Sequence, residues 1–434
     1  MSFYLRKVGI FIDTNSLKIE RAVIVGLNAA SMPRDDRSTE TSLAELAALC
    51  ETAGGEPVAF ALQNKQTPDS HTFIGEGKAE ELRELIEAEG LDLAVFDNEL
   101  SPSQMRALGE ALGVKVLDRS GIILDIFSQR ARTREGQLQV ELAQYEYLLP
   151  RLTGMWKHLV RQTASGSSSP IGTRGPGETQ LESDRRHIRR KIQKLKEELQ
   201  ELRRVRATQR EQRERNDVPV IALVGYTNAG KSTLMNFFTE AGIPANDRLF
   251  DTLDTTTRRL DLGENGEALL SDTVGFIRKL PHQLIAAFKA TLEELQYADV
   301  LLHVIDVSNE DWPEQAEIVE RLIGEMKIDG RPMLRVYNKC DAYDGELPRE
   351  RDSVCISAKT GEGTDALLDL IKRCLNEGRH SLTLHIPYSE MGIITLLHDN
   401  GAVRSQKYEP EYVEVMAEVS DEIFHRVKMY ADES

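Results

Sequence analysis

Residues 220–234 read VIALVGYTNAGKSTL. The five apolar residues 220–224 form a buried-strand run. They lead directly into GYTNAGKS, residues 225–232, and then into a helical pattern. A strand, a glycine-rich turn and a helix in that order form the context that a phosphate-binding loop requires. Gly225 and Gly230 let the backbone curl, so that successive N–H groups across Tyr226, Thr227, Asn228 and Ala229 turn inward. The helix opening near Lys231 adds its positive end. Lys231 is placed to reach the outer phosphates, and the hydroxyl of Ser232, followed by Thr233, is placed to ligate magnesium. The bland alternative is a glycine-rich turn with a chance lysine, and the correct flanks weigh against it.

That loop implies a nucleoside triphosphate without choosing the base. After the strand-like run ALLS comes DTVG: Asp272, Thr273, Val274 and Gly275. Asp272 is expected to hold magnesium through water, and the Gly275 N–H to sense the terminal phosphate. A strand at 300–307 precedes a helix. Another at 333–337 ends in NKCD, which is Asn338, Lys339, Cys340 and Asp341. A carboxylate at Asp341 can accept two hydrogen bonds from the N–H edge of guanine, and Asn338 joins in that selection. Adenine offers no such edge and would leave the carboxylate unpaired. Ser357, Ala358 and Lys359 follow the last strand and brace the base from the other side. In this order and spacing the set implies GTP rather than ATP, hydrolysed to GDP and phosphate. FDTLDTTTRR offers Thr252, Thr255, Thr256 and Thr257 to close over magnesium and the terminal phosphate, and spacing does not separate them. Phe276 stands where many switch GTPases carry a glutamine that positions the attacking water. Intrinsic hydrolysis is therefore expected to be slow unless another residue or a bound partner completes the site.

At 434 residues the chain is too long for one core. Hydrophobic residues at 40% and charged residues at 29% suit a soluble globular protein. No apolar run approaches the roughly 18 residues of a membrane span, and MSFYLRKVGIFIDTN lacks the pattern of a signal peptide. Cys50, Cys340, Cys355 and Cys374 are scattered without metal-ligand spacing, which argues against a disulfide framework and a zinc site. The cytoplasm is the expected compartment and a monomer the expected state. The net charge of −17 by itself argues against a nucleic-acid partner, and no DNA partner is expected. The charge is uneven, however: residues 185–215 hold 13 Lys/Arg against 5 Asp/Glu, about +8, which leaves about −25 elsewhere. Such a run is either a solvated helix face or a localised RNA contact.

The pattern implies an α/β protein in four parts. Residues 1–121 alternate strands (8–12, 22–26, 58–62, 93–96, 114–117) with helices (42–53, 79–89, 101–112), an N-terminal α/β domain with a mostly parallel sheet. Residues 122–217 carry two heptad-like stripes. One is Leu138, Leu142, Tyr145, Leu149, Leu152, Trp156 and Leu159; the other is Ile188, Ile192, Leu195, Leu199 and Leu202. Together they predict an antiparallel helical hairpin. Pro150 is expected to kink or break the first helix. The linking ASGSSSPIGTRGPGETQLE reads by composition as a flexible tip. Residues 218–376 form the P-loop domain on a mostly parallel sheet, and 377–434 a small α+β domain with strands at 382–388 and 412–419 and a helix between 389 and 399. IGEGKAEEL, residues 74–82, has the look of a second glycine-rich loop. With no Ser or Thr after Lys78 it is read as a surface turn.

GTRGPGETQLESDRR, residues 172–186, followed by the basic heptad helix and GYTNAGKSTL, resembles the HflX family of translation-associated GTPases. The likeness runs from FIGEGKAEEL to SAK, and GPGETQLE is its most specific element. The resemblance implies binding to the large ribosomal subunit and its RNA, with separation or rescue of ribosomes under stress. It turns the hairpin tip into an RNA contact through Arg174, Gly175, Gly177, Arg185 and Arg186. The family pattern FxTLD selects Thr252 as the magnesium-binding switch residue and places Phe250, Asp251, Leu253 and Asp254 near the nucleotide. The catalytic set it implies is Lys231, Thr252, Asp272 and Gly275. Where many relatives have proline after the aspartate this chain has Thr255, which leaves that loop less rigid. A GTPase of tRNA modification or of a membrane surface, and a nucleotide-stabilised scaffold, are the alternatives.

Overall fold

The computed structural model describes residues 19–163, 176–214, 218–239, 249–250, 256–263, 266–280, 293–326, 328, 331–346, 348, 350–376, 379–399 and 403–431. The strand expected at 8–12 lies outside them.

Strands β1 (Arg21–Ala29), β2 (Glu56–Lys65), β3 (Leu93–Phe96) and β4 (Lys115–Asp118) form a parallel sheet in the order β2-β1-β3-β4. Helices α1 (Glu40–Ala53), α2 (Glu76–Glu89) and α3 (Pro102–Leu112) make the crossovers that parallel pairing demands. Strand β2 is longer than the five residues expected, because its backbone pairs with β1 along the whole of β1. Helix α1 begins two residues earlier than expected. Thr39 caps it, and Ser42 sits third in the helix, where its hydroxyl oxygen accepts the Thr39 N–H at 2.8 Å. Lys78 lies in the first turn of α2 and bends over Glu81.

Helix α4 (Arg119–Arg130) was not anticipated, and it runs through the boundary drawn at residue 121. It is buried from Arg119 to Phe127 and packs with α1 and β4. The following helix, α5 (Arg134–Thr163), continues unbroken through Pro150. Its neighbours Tyr147, Leu148 and Leu152 are buried in the core shared with the first sheet. That packing offsets the backbone hydrogen bond a proline removes. Helix α6 is described over Pro176–Glu214, so GPGETQLE is mostly helical rather than loop. Leu138, Leu142 and Tyr145 meet Ile188, Leu195 and Leu199 in one buried cluster, and ion pairs Arg134–Glu198 and Lys191–Glu141 join the two helices.

The second sheet has the order β10-β9-β8-β5-β7-β6. Its strands are β5 (Val220–Gly225), β6 (Thr256–Asp261), β7 (Glu267–Asp272), β8 (Val300–Asp306), β9 (Met333–Asn338) and β10 (Ser353–Cys355). Only β6, an unanticipated strand at the edge, runs antiparallel. Helices α7 (Lys231–Thr239), α8 (Trp312–Glu325) and α9 (Thr364–Asn376) flank it. The last unit is an antiparallel sheet in the order β11-β13-β12: β11 (Arg379–Pro387), β12 (Val403–Tyr408) and β13 (Tyr412–Ser420), with α10 (Met391–Asp399) and α11 (Asp421–Val427) on one face. Val413, Val415, Ala417 and Val419 alternate inward against Ile394, Leu397 and Val427. Among the described residues no helix is long and apolar enough to cross a membrane.

The hairpin is fastened to the first sheet by a buried carboxylate. Asp118, at the end of β4, caps α4 by accepting the Gly121 N–H at 2.9 Å. The Tyr147 hydroxyl donates to it at 2.8 Å, and the Arg151 guanidinium at 3.1 Å. The same guanidinium reaches the Leu100 carbonyl at 3.1 Å and lies over the Tyr147 ring. Burial, helped by the Asp118 charge, pushes the Tyr147 phenol well above its usual range, so it remains a donor. Removing one partner of a buried ion pair strands the other charge. Arg151→Met is therefore expected to destabilise the chain by roughly 3–5 kcal/mol in a urea titration followed by circular dichroism. A loss below about 1 kcal/mol would mean that Tyr147 and the N–H groups of Gly121 and Leu100 satisfy Asp118 without Arg151.

Candidate nucleotide site

Four parallel strands end on one edge. Register places Leu223 beside Asp272, Gly225 beside Val304, and Asp306 beside Asn338, so the loops after β5, β7, β8 and β9 converge there. Strand β5 is central, with β7 on one side and β8 on the other. This is the switch point at which parallel sheets open a ligand crevice.

The two loop glycines are required by close approach. A Cβ on Gly225 would lie 2.3 Å from the Val304 carbonyl oxygen, and one on Gly230, at φ +92°, 2.2 Å from Asn338 Nδ2. The ammonium of Lys231 is buried and donates to the carbonyls of Tyr226 at 2.7 Å and Gly225 at 3.1 Å. Burial, partly opposed by the Asp272 charge, brings it down to about 8. The hydroxyl of Ser232 donates to Asp272 Oδ2 at 2.7 Å, which brings together two hard oxygens of the kind magnesium takes. Thr273 is buried and ties its hydroxyl to the Leu223 carbonyl. Gly275 packs so closely on the loop that a Cβ there would stand 2.9 Å from Thr227 Cα and 3.0 Å from Lys231 Nζ.

Asn338 is a clip between loops. Its amide donates to the Ala229 carbonyl at 2.8 Å and its oxygen accepts the Ala358 N–H at 2.9 Å. The Cys340 N–H reaches the Ile356 carbonyl. These bonds hold NKCD, SAK and the phosphate-binding loop together. Asp341 and Lys359 are exposed on this edge, while Ser357 is buried and receives the Thr360 N–H on its hydroxyl. Lys339, in the left-handed region at φ +64°, pairs with Asp306 at 2.7 Å.

Two residues expected near the nucleotide turn their side chains elsewhere. The Tyr226 ring is buried, and its hydroxyl donates to Glu45 of α1. Phe250 is buried edge-to-face on Phe127 of α4, at 4.7 Å between centroids. Phe276 is also buried, its backbone bridged to the loop through the Thr227 N–H at 2.7 Å and the Gly225 carbonyl at 3.1 Å. Sequence spacing held no signal for these contacts, since each partner is far away along the chain. Asp251, Thr252, Leu253, Asp254, Arg174 and Gly175 lie outside the described residues. Gly177 falls in the first turn of α6; Arg185 is half-buried and Arg186 exposed.

A P-loop on the central strand, DTVG on its neighbour, and NKCD clipped to SAK define a P-loop GTPase. Family models match in three stretches: the GTP-binding GTPase N-terminal region over residues 40–128, its middle region over 130–213, and a model described as 50S ribosome-binding GTPase over 220–339. The protein called GTPase HflX in Caldanaerobacter subterraneus is 44% identical over 411 residues, covering 95% of this chain and 94% of that one. That of Escherichia coli K12 is 43% identical over 402 residues, covering 91% and 90%. The chain belongs to the HflX family of GTPases and hydrolyses GTP. Among solved structures, a GTP-binding protein from Sulfolobus solfataricus in complex with GDP aligns over 83% of this chain and 99% of that one, at 23% identity and TM-score 0.43.

A lysine that meets phosphate must be protonated, and a value near 8 leaves about nine-tenths protonated at pH 7 but about a quarter at pH 8.5. The affinity for GTP is expected to fall about fourfold across that interval in a fluorescent-nucleotide titration. A flat profile would mean that Lys231 keeps its proton throughout.

Proposed function

We propose that this GTPase is a molecular switch whose GTP-bound form docks on the large ribosomal subunit, splits or rescues ribosomes under stress, and is released by hydrolysis stimulated there. The observation that carries this reading is Phe276, buried beneath the loop at the position from which a switch GTPase orients water. It has no group for that task, so a partner has to complete the site. The basic stretch of α6, which carries Arg185 and Arg186, supports an RNA partner, and Arg174, Gly175 and Gly177 are assigned to the same contact. The description of the family model over 220–339 supports the large subunit as that partner. The protein acts as a cytoplasmic monomer in this reading.

In the site, the N–H groups from Tyr226 to Thr233 cradle the phosphates, and Lys231 exchanges its loop carbonyls for outer phosphate oxygens. The Gly275 N–H meets the terminal phosphate. Ser232, Thr252 and Asp272 would hold magnesium, and the Ser232–Asp272 pairing fits that donor set. The ion would supply neutralisation of the charge that develops on the phosphate oxygens. The Asp341 carboxylate accepts from the guanine edge, and Ser357, Ala358 and Lys359 close over the base. Asn338 holds these loops in register and, with Asp341, selects guanine.

Asp341→Asn exchanges an acceptor for a donor and is expected to move preference from GTP towards xanthosine triphosphate. A variant that still selects GTP would assign base reading to another group. Turnover of GTP, measured with and without purified large subunits at physiological salt, is expected to rise strongly with them and to lose that rise when residues 172–182 are deleted. Turnover unchanged by the subunits would overturn the ribosomal reading.

A further inference from the structure

Around the loop that follows DTVG, six groups close a ring. The Tyr226 hydroxyl accepts the N–H of Arg278 at 2.8 Å and donates to Glu45 Oε2 at 2.6 Å. The other oxygen of Glu45 pairs with Arg119. Arg119 donates to Asp97 Oδ1 at 2.7 Å, and Asp97 Oδ2 pairs with Lys279. Lys279 is bonded covalently to Arg278, which returns the circuit to Tyr226. Glu45, Arg119 and Asp97 come from the first domain; Tyr226, Arg278 and Lys279 come from the nucleotide domain. None of the ionised side chains Glu45, Arg119, Asp97 and Lys279 is more than 13% exposed.

We propose that Tyr226 is a positioning residue for GTP hydrolysis, holding the backbone after Gly275 in register with the phosphate-binding loop by tying both to Glu45 of the first domain. The phosphate cradle is built from backbone atoms of residue 226, so the side chain is spare for another task. It is turned out of the cradle and spends both hydrogen-bonding capacities on the ring. The segment it grips also touches the cradle, through the Thr227 N–H on the Phe276 carbonyl and the Phe276 N–H on the Gly225 carbonyl. A displacement of Arg278 is thus passed to Phe276 and, one residue earlier, to Gly275. Gly275 has no slack, lying against Thr227 and Lys231. Burial, against the pull of Arg119 and Arg278, raises the Tyr226 phenol, which keeps its proton for Glu45. Lys279 is held in the left-handed region, at φ +52°, which is uncommon for a residue other than glycine.

The inference rests on the GTPase chemistry of this site and makes no use of the ribosome, so it is tested on the full chain alone. In single-turnover hydrolysis, Tyr226→Phe is expected to lower the chemical rate about tenfold, the factor that one hydrogen bond of ordinary strength represents. Affinity for GDP, which carries no terminal phosphate to meet Gly275, is expected to stay within about twofold. The double variant Tyr226→Phe/Glu45→Leu is expected to be no slower than the slower single variant, because both cut one path. An unchanged rate for Tyr226→Phe would overturn the proposal. So would GDP affinity falling in parallel with the rate, which would reduce Tyr226 to a support of the loop's fold, and so would effects of the two substitutions that multiply.

Discussion

Asp97 has no exposed surface, and a carboxylate taken out of water must be met by enough donors to replace its hydration. It stands just beyond β3, at the carboxyl edge of the first sheet. Ser38 and Ser42 bring the start of α1 to it, Arg119 brings the start of α4, and Lys279 brings the nucleotide domain. None of these groups is close to Asp97 along the chain. The one buried charge therefore sets where three separate segments end, and it sets how the first domain faces the second.

The two parallel sheets repeat one logic with different results. In each, a strand with neighbours on both sides opens a switch point at its carboxyl end. In the second sheet that edge is furnished with glycines, backbone N–H groups and a lysine, which suits a phosphate chain. In the first it is furnished with Asp97 and Asn98, whose carboxylate and amide are consumed internally; Asn98 accepts the Leu27 N–H and Ser38 hydroxyl and donates to the Asp36 carbonyl. A cavity of about 690 Å³ lies between the edges, walled by Arg37, Asp97, Arg119, Lys279 and Arg321 among others. The first domain's contribution to the second is a set of anchoring points for its loops: Glu45 for Tyr226, Phe127 for Phe250 and Asp97 for Lys279.

The hairpin obeys a similar constraint one strand further along. Asp118 is as buried as Asp97, and its donors come from α4, α5 and the Leu100 N–H, so α5 is seated by polar contacts before its apolar stripe is counted. Its stability through Pro150 follows from that seating. The outer length of α6 keeps the charge that the hairpin presents to solvent, while Ile188, Leu195 and Leu199 turn towards α5.

Local patterns determined a good deal of this. The strand, loop and helix around Gly225 to Ser232, the strands leading to DTVG and NKCD, and the strand of four residues at β3 are all set by near neighbours, because glycine, capping and apolar runs act over a few residues. The same locality explains the errors. Helix α4 follows an aspartate cap that the apolar pattern beyond it obscured, and β6 is charged because it is an edge strand. Residue 42 read as the first of α1, whereas Ser42 sits third in it, with its hydroxyl completing the cap. What the sequence could not determine is where Tyr226, Phe250 and Asn338 point. Their neighbours along the chain specify a nucleotide loop, yet Tyr226 and Phe250 find partners in another domain and Asn338 bridges two loops of its own. Only the tertiary structure decided those directions, since a buried hydroxyl, ring or amide goes to whichever partner the packing brings within reach.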